Sequence, residues 1–401
     1  MVEYFYEESS RRLASVTEND GVFSVNILHS SRVPDPKNTF VANKADILAG
    51  ENVYIVDSVK SGLGERSDDK GVYVELVKPL LDGVYGIQHT YIKTTGPLLI
   101  GDFATGLEDA GARITVVLIG GDTSVGEFVN DLSSVGTGRV RLVVFPAGTG
   151  NALALSLGIN DNLDAMRQLL GHGSDEVLPL HMYQVAFPPG SCRLYSDGTT
   201  KKLEGPVLFL VVMSWAFHAS LVADSDQDEM RKKGLERFKI AAMQNLQWRQ
   251  EYNARISISS AGLTANEDAI VRDGPFAYLV ITPARKFEPK FDILPSGNIL
   301  NDSLHVIGFD TEESPTYIMD IMNEVYDNGA HVHDKRVFYD EVKSDSRITL
   351  DLQDNKSARN RRFCVDGAII SLPDTHGQVV VNYYGSRKDH YELEIVGKIN
   401  R

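Results

Sequence analysis

Cysteine is nearly absent. The 401-residue chain holds two, Cys192 and Cys364, too few for a disulfide framework and without metal-ligand spacing. A reduced cytosol is therefore the expected compartment. Long apolar runs are missing as well. Val207-Leu208-Phe209-Leu210-Val211-Val212-Met213, one of the longest, falls far short of the roughly 20 residues of a membrane span. The start, Met1-Val2-Glu3-Tyr4, lacks the basic residues and apolar stretch of a signal peptide. Positive charge is in deficit: 40 Lys and Arg face 55 Asp and Glu, a formal net charge of −15. That balance argues against non-specific nucleic-acid binding and disfavours strong electrostatic attachment to an anionic membrane. Local basic stretches remain, such as Arg231-Lys232-Lys233 and Arg359-Asn360-Arg361-Arg362. No internal repeat or low-complexity tract occurs. The histidines, His181 and His218 included, lack metal-ligand spacing, so core or surface places are expected for them and no metal ligand is assigned.

What is present is an ordinary soluble composition, 42% hydrophobic and 24% charged, on a chain long enough for two domains. Residues 1–50 mix short β-like stretches, such as Val22–Leu28, with turn residues and read as an N-terminal extension. From about Asn52 strand and helix patterns alternate. Val53–Val56 reads as a strand, Val72–Leu81 as a helix, Thr90–Lys93 as a strand and Gly101–Ala110 as a helix. Alternation of this kind predicts a parallel sheet covered on both faces, over residues 51–160. Beyond about Asp161 the pattern turns to strands joined by Gly, Asn, Asp and Pro: Val207–Trp215, Ala254–Ser259, Ala277–Thr282, Leu304–Phe309, Arg347–Leu352 and Gln378–Tyr384. Helices are expected at Asp164–Leu170, Asp228–Trp248 and Thr316–Tyr326. Residues 161–401 thus read as a second domain, of antiparallel strands.

Two glycine turns follow the apolar runs Ile114–Ile119 and Val140–Phe145: Gly120-Gly121-Asp122-Thr123-Ser124 and Pro146-Ala147-Gly148-Thr149-Gly150-Asn151. Glycines there let the backbone approach a phosphate, and the helix that follows offers unpaired N–H donors to an anion. Glu127, expected on the first turn of that helix, reaches the same edge. Thr149 and Asn151 supply further donors. A tight β–α turn with an acidic cap would account for the first motif alone. The second, with two glycines flanking a hydroxyl, exceeds what a turn needs. Lys60-Ser61-Gly62-Leu63-Gly64 forms a third glycine turn after the first strand.

These elements resemble the GGDGT and P-x-G-T/S-G-N motifs of the diacylglycerol, sphingosine and ceramide kinases. Ser61, Gly62 and Gly64 are similar to that family's N-P-x-S-G-x-G nucleotide loop, with Asp57-Ser58-Val59 standing where Asn-Pro is expected. Thr94-Thr95 resembles the family's nucleotide-site threonine. Trp215–Asp226 and Met230–Phe238 look like the sphingosine-kinase runs W-G-F-x-A-D-V-D and Y-R-R-x-G-x-x-R-F. Aligned from Phe238, Arg231 and Arg237 fall on phosphate-binding arginines and Asp224 on the acid that holds the substrate head group. Aligned from Trp215, Ser220 falls near that acid. Cys364-Val365-Asp366-Gly367-Ala368 resembles V-D-G-E, with Ala368 in place of the glutamate; Thr123 and Ser124 depart from GGDGT in the same way.

The resemblance implies an N-terminal three-layer α/β nucleotide-binding domain, similar to NAD kinases and phosphofructokinases. It also implies a C-terminal antiparallel β-sandwich holding the lipid. The activity implied is transfer of phosphate from ATP, with Mg²⁺, to a primary hydroxyl of a sphingoid base or diacylglycerol-like lipid. Asp122 would be the catalytic base and touch the substrate. Ser58, Ser61, Gly62, Gly64, Thr94, Thr95, Gly120, Gly121, Thr123, Ser124, Glu127, Gly148, Thr149, Gly150, Asn151, Asp366 and Gly367 would surround the nucleotide with Arg231 and Arg237. Asp224 or Ser220 would meet the lipid. The expected partner is that lipid, with transient membrane contact and no nucleic acid, and the expected place is the cytoplasm or a membrane periphery. Thr123 and Ala368 keep a second reading open, a homologue that binds nucleotide or lipid without turnover. A third is a soluble-substrate kinase nearer to NAD kinases.

Overall fold

The computed structural model describes residues 2–34, 37–43, 48, 50–62, 70–96, 98–107, 113–132, 138–171, 177–234, 236–260, 270–314, 316–353, 357–374 and 377–397. Two compact units emerge. The first comprises Met1–Gly148, Leu157–Pro179 and Arg387–Arg401; the second comprises Thr149–Ser156 and Leu180–Ser386. The division therefore does not run at one point near residue 160, because the chain re-enters the first unit after completing the second.

In the first unit the central sheet contains β1 (Glu51–Ser58), β2 (Thr90–Thr94), β3 (Arg113–Gly120) and β4 (Gly138–Pro146), all parallel. Across the sheet they run β4, β3, β1, β2, and the late strand Tyr391–Val396 joins parallel to β4. Seven of the eight residues of β3 are buried, the uninterrupted apolar run that a sheet covered on both faces requires. Successive strands leave β1 first on one side and then on the other. The strand order thus reverses between β1 and β3, the place where open α/β sheets bind ligands at their carboxyl ends. Residues 73–85 form wide, π-type helical turns, Tyr73–Val77 and Pro79–Tyr85, which overlap the expected helix Val72–Leu81 and run past its end. Pro79, with no N–H to give, stands where they meet.

Residues 2–42 hold a sheet of their own, in the order Val22–His29, Arg12–Asn19, Val2–Glu7, Thr39–Ala42. Its second hairpin turns at Asp20-Gly21, both with positive φ (51° and 79°), as a two-residue turn between paired strands demands.

The second unit is a sandwich of two antiparallel sheets, one of six strands and one of eight. Their facing sides supply one core in which Trp215 stacks on Phe363 (ring centres 5.8 Å apart) and meets Tyr252 edge-on. The run Val207–Trp215, expected as one strand, is two. Val207–Phe209 belongs to the six-stranded sheet and Met213–Ala216 to the eight-stranded one. Between them Leu210–Val212 cross from one sheet to the other. Of the expected long helix, Asp228–Arg231 and Glu236–Asn245 form as separate pieces. The N-terminal α/β unit and the antiparallel sandwich are the two fold classes expected.

Candidate active site

Three turns converge at the strand-order reversal. After β1, Ser61 N–H donates to the Ser58 carbonyl (2.9 Å) and Ser61 Oγ to Ser58 Oγ (2.8 Å). Gly62 follows with φ +80°, and a Cβ there would stand 2.6 Å from the Ala147 carbonyl oxygen. After β3, Gly120 lies so close to Ser124 that a Cβ would meet its Oγ at 2.7 Å, and Ser58 Cβ at 3.4 Å. After β4, the N–H groups of Ala147 and Gly148 donate to the Gly120 carbonyl (2.9 and 3.1 Å). Gly62 and Gly120 are thus held where an added Cβ would clash, with Ser58, Ser61 and Gly148 in the same three turns. Gly64 lies outside the described residues.

Asp122 opens helix α1 (Asp122–Asp131), with extended Gly121 before it and Ser124 N–H donating to the Gly121 carbonyl (2.9 Å). A carboxylate at that position faces the positive end of the helix dipole. Asp122 and Thr123 are half-buried, and Ser124 is buried against Gly120. Glu127 stands on the second turn, not the first, because the helix begins at Asp122 itself. The other end of α1 is fixed from far along the chain. Lys388 Nζ donates to the carbonyls of Asn130 (2.5 Å) and Leu132 (2.9 Å), and its burial there lowers its pKa. A cation on the last carbonyls satisfies orphan acceptors and opposes the dipole's negative end.

Asp57, at the end of β1, is 3% exposed. It accepts a hydrogen bond from Tyr91 (3.2 Å), whose ring stacks on Tyr73 at 3.7 Å. Thr94 is buried and donates its hydroxyl to the Asp57 carbonyl (3.1 Å), so it staples β2 to β1; Thr95 is the exposed member of the pair.

Within the second unit, Asn151 takes φ +93°, a left-handed conformation for a residue with a side chain, and its carbonyl caps the short helix Ala152–Ser156 through Leu155 N–H (3.0 Å). A Cβ on Gly150 would meet the Phe287 carbonyl only at 4.0 Å, so Gly150 is not demanded by packing. Thr149 is half-buried beside them.

Helix α2 (Phe217–Ser225) carries both alternatives for the head-group residue. Ser220 and Asp224 are four residues apart and share a helix face. Ser220 is buried and shares a hydrogen bond with Tyr252 (3.0 Å), which donates to Gln250 Oε1 (3.2 Å). Asp224 accepts from Arg362 Nη1 (2.6 Å) and Asn245 Nδ2 (2.9 Å). Arg231 forms a two-pronged pair with Asp226 (both 3.0 Å). Arg237, 8% exposed, lies over the Phe238 ring at 4.9 Å. Its Nε has no hydrogen-bond partner among the described residues. Burial lowers its pKa, Asp226 opposes that shift and Arg231 adds to it.

Asp366 and Gly367 have a role the sequence reading did not foresee. They form the two-residue turn of the hairpin Arg362–Val365/Ala368–Ser371, with φ +46° and +84°. The Asp366 carboxylate, 3% exposed, accepts the N–H groups of Leu210 (2.7 Å), Val211 (2.9 Å) and Val212 (2.8 Å). It holds the backbone where the chain changes sheets, so three of its acceptor positions already face the protein's own amides. An Asp-Gly pair between apolar runs was the signal that could have revealed this turn. Asp57, Tyr252, Arg362 and Lys388 were missed outright. Their partners lie 32 to more than 250 residues away, beyond the reach of local patterns.

Among the described residues no group of three His, Cys, Asp or Glu side chains converges on a metal position. Mg²⁺ commonly takes one or two carboxylates and completes its shell with substrate phosphates and water. Asp122 and Glu127 on α1 are of the right chemistry for that.

Residues 60–181 match the diacylglycerol kinase catalytic domain. That domain contains Ser61, Gly62, the Gly120–Glu127 turn and helix start, and Gly148–Asn151, whereas Asp224, Arg231, Arg237 and Asp366 lie beyond it. Solved structures share its fold. A diacylglycerol kinase from Bacillus anthracis str. Sterne aligns at 12% identity over 87% of this chain and 97% of its own, with a TM-score of 0.50. Two further Bacillus anthracis chains of that kind align over the same share of this chain. They cover 96% and 98% of their own lengths at 14% and 13% identity, with TM-scores of 0.55 and 0.52. No curated protein sequence matches significantly.

Proposed function

We propose that this protein transfers the γ-phosphoryl group of ATP to a primary hydroxyl of a lipid, a sphingoid base or a diacylglycerol-like molecule. The observation that carries this reading is the meeting of the Gly62, Gly120–Gly121 and Gly148 turns where the strand order reverses, with Asp122 opening the adjacent helix. The Ser58, Ser61, Gly62, Gly120, Gly121, Thr123, Ser124, Gly148, Thr149, Gly150 and Asn151 turns would hold the nucleotide, with Thr94 and Thr95 at their margin. In the reaction the lipid oxygen forms a bond to the γ-phosphorus while the bond from that phosphorus to the bridging oxygen breaks and ADP leaves. Asp122 accepts the hydroxyl proton and orients the oxygen. Arg231 and Arg237 are the cations assigned to phosphate oxygens. Mg²⁺, when bound, neutralises phosphate charge, and Asp122 and Glu127 are the side chains that would hold it.

One feature favours an uncharged head group. An ammonium would need a carboxylate with charge to spare, but Asp224 is engaged by Arg362 and Asp226 by Arg231. Thr123 and Ala368 support the second reading, binding without turnover.

The deciding experiment incubates the protein and its Asp122→Asn variant with Mg²⁺, γ-labelled ATP and each of diacylglycerol, ceramide, sphingosine and NAD⁺. Label in one lipid, reduced at least a hundredfold by the substitution, is expected. Label in NAD⁺ alone would move the protein to the soluble-substrate kinases. ATP binding without any labelled product would leave the non-catalytic reading.

A further inference from the structure

Asp57 puts a carboxylate at the buried end of an apolar strand. It follows Val53, Ile55 and Val56 on β1 and lies directly before Ser58, where the first turn of the candidate site begins. Burying a charged group costs free energy, and an apolar side chain of similar size would fill the place without that cost. The segment that matches the diacylglycerol kinase domain starts only at residue 60, so Asp57 stands outside it. Its partner comes from β2. Tyr91 is opposite Ile55 and Lys93 opposite Asp57, so the Tyr91 hydroxyl donates to Asp57 Oδ2 along the diagonal of one sheet face. The Asp57 carbonyl accepts the Thr94 hydroxyl and the Val59 N–H (both 3.1 Å). Carboxylate and backbone of this one residue are therefore both tied down immediately ahead of the Ser58–Gly62 turn.

Tyr91 is itself held. Its ring lies flat on that of Tyr73, with planes 6° from parallel. The Tyr73 hydroxyl meets His89 Nε2 (3.0 Å), and His89 Nδ1 donates to the Ile87 carbonyl (3.2 Å). Tyr73 opens the π-type turns, a geometry that is rare overall and frequent at functional sites. Two residues on, Glu75 Oε2 accepts the N–H of Phe23 (3.0 Å), which belongs to the outermost strand of the sheet of residues 2–42. Further along the same turns, the Gly83 carbonyl accepts Arg12 Nη1 (2.8 Å) from that sheet. The N-terminal sheet thus grips the segment that carries Tyr73.

We propose that Tyr91 and Tyr73 are positioning residues for the nucleotide, acting through Asp57 on the Ser58–Gly62 turn, and that the N-terminal sheet keeps Tyr73 in place through Glu75. A turn that is already fixed loses less freedom when a ligand settles on it, so each tie ahead of Ser58 appears as affinity. The inference rests on the reading of the three turns as a nucleotide site, and it gives residues 2–42 a part in that site. Substitutions separate positioning from packing. Tyr91→Phe keeps the ring and its stack on Tyr73 and removes only the bond to Asp57. Glu75→Ala removes the acceptor of the Phe23 N–H, whereas Glu75→Gln keeps one.

The test is calorimetric binding of ATP to the full chain and to these variants, with melting temperatures measured alongside. The Kd for ATP should rise about fivefold in Tyr91→Phe and about threefold in Glu75→Ala, and stay at the parent value in Glu75→Gln. The double variant Tyr91→Phe/Glu75→Ala should bind ATP no more weakly than Tyr91→Phe alone, because both act on one route. In turnover the loss should fall on KM for ATP more than on kcat. A Tyr91→Phe protein that melts lower but binds ATP as the parent does would make the contact structural and overturn the proposal. Additive losses in the double variant would overturn the route from the N-terminal sheet. If the parent itself binds no ATP, the nucleotide reading falls and this inference with it; if the parent binds ATP and Tyr91→Phe binds it equally, only this inference falls.

Discussion

Gly62 and Ala147 meet so closely that no side chain fits between them: a Cβ on Gly62 would stand 2.6 Å from the Ala147 carbonyl oxygen. The φ of +80° at Gly62 adds a second reason for glycine. Gly62→Ala should therefore force the first turn away from the third and cost about 2 kcal/mol in stability. ATP affinity, measured by calorimetry, should fall together with the melting temperature. Unchanged ATP affinity would show that this turn does not touch the nucleotide.

Asp366 separates a structural role from a nucleotide role. Asp366→Ala would leave the buried N–H groups of Leu210, Val211 and Val212 without their acceptor, a loss of roughly 3–5 kcal/mol. Denaturant unfolding should show that loss, while ATP affinity of the molecules still folded should be preserved. A selective loss of ATP affinity at normal stability would return Asp366 to the nucleotide.

Ala216 holds φ +62° and ψ −136°, a region that only glycine enters without strain, at the place where the related W-G-F run has its glycine. Ala216→Gly should relieve strain that exceeds the added chain entropy, a net gain of roughly 0.5–2 kcal/mol. The midpoint of urea unfolding should rise. A fall would mean that the alanine methyl contributes more by packing than the backbone loses.

His218 is half-buried against Tyr278 and Phe287, with Nδ1 hydrogen-bonded to Ser214 Oγ (2.7 Å), and desolvation there lowers its pKa to about 4. The unfolded chain takes up this proton near pH 6.5 and the folded chain only near 4. Stability from this residue is therefore complete above about pH 6.5 and is lost as pH falls towards 4, by about 3 kcal/mol in all. Unfolding free energies measured from pH 7 to 4 should show that slope, and His218→Phe should flatten it. An unchanged slope in the variant would assign the pH dependence to other groups.

What could be read from the sequence follows how local each cause is. Glycine turns after apolar runs, and the alternation of strand and helix, are local, and they located the parallel sheet and the turns at its carboxyl edge. Val207–Met213 is a continuous apolar run with no internal turn residue. Its break at Leu210–Val212 depends on a carboxylate more than 150 residues later and could not be seen. The Ser220 and Asp224 alternatives differed in alignment but lie one helical turn apart, so the structure puts both on the same face. Thr94 and Asp366 have the residue types of a ligand site, yet Thr94 bonds to the backbone of a neighbouring strand and Asp366 to that of the crossing segment Leu210–Val212.

The strand Tyr391–Val396 lies parallel to β4, and Tyr391 donates to the Leu107 carbonyl (3.1 Å). On a ribosome β4 emerges long before this partner does. Roughly 240 residues separate them, about 10–50 s of synthesis at ordinary elongation rates. Until then one margin of the parallel sheet displays unpaired backbone amides, and the sandwich is free to fold first. The unit begun earliest is thus the one completed last.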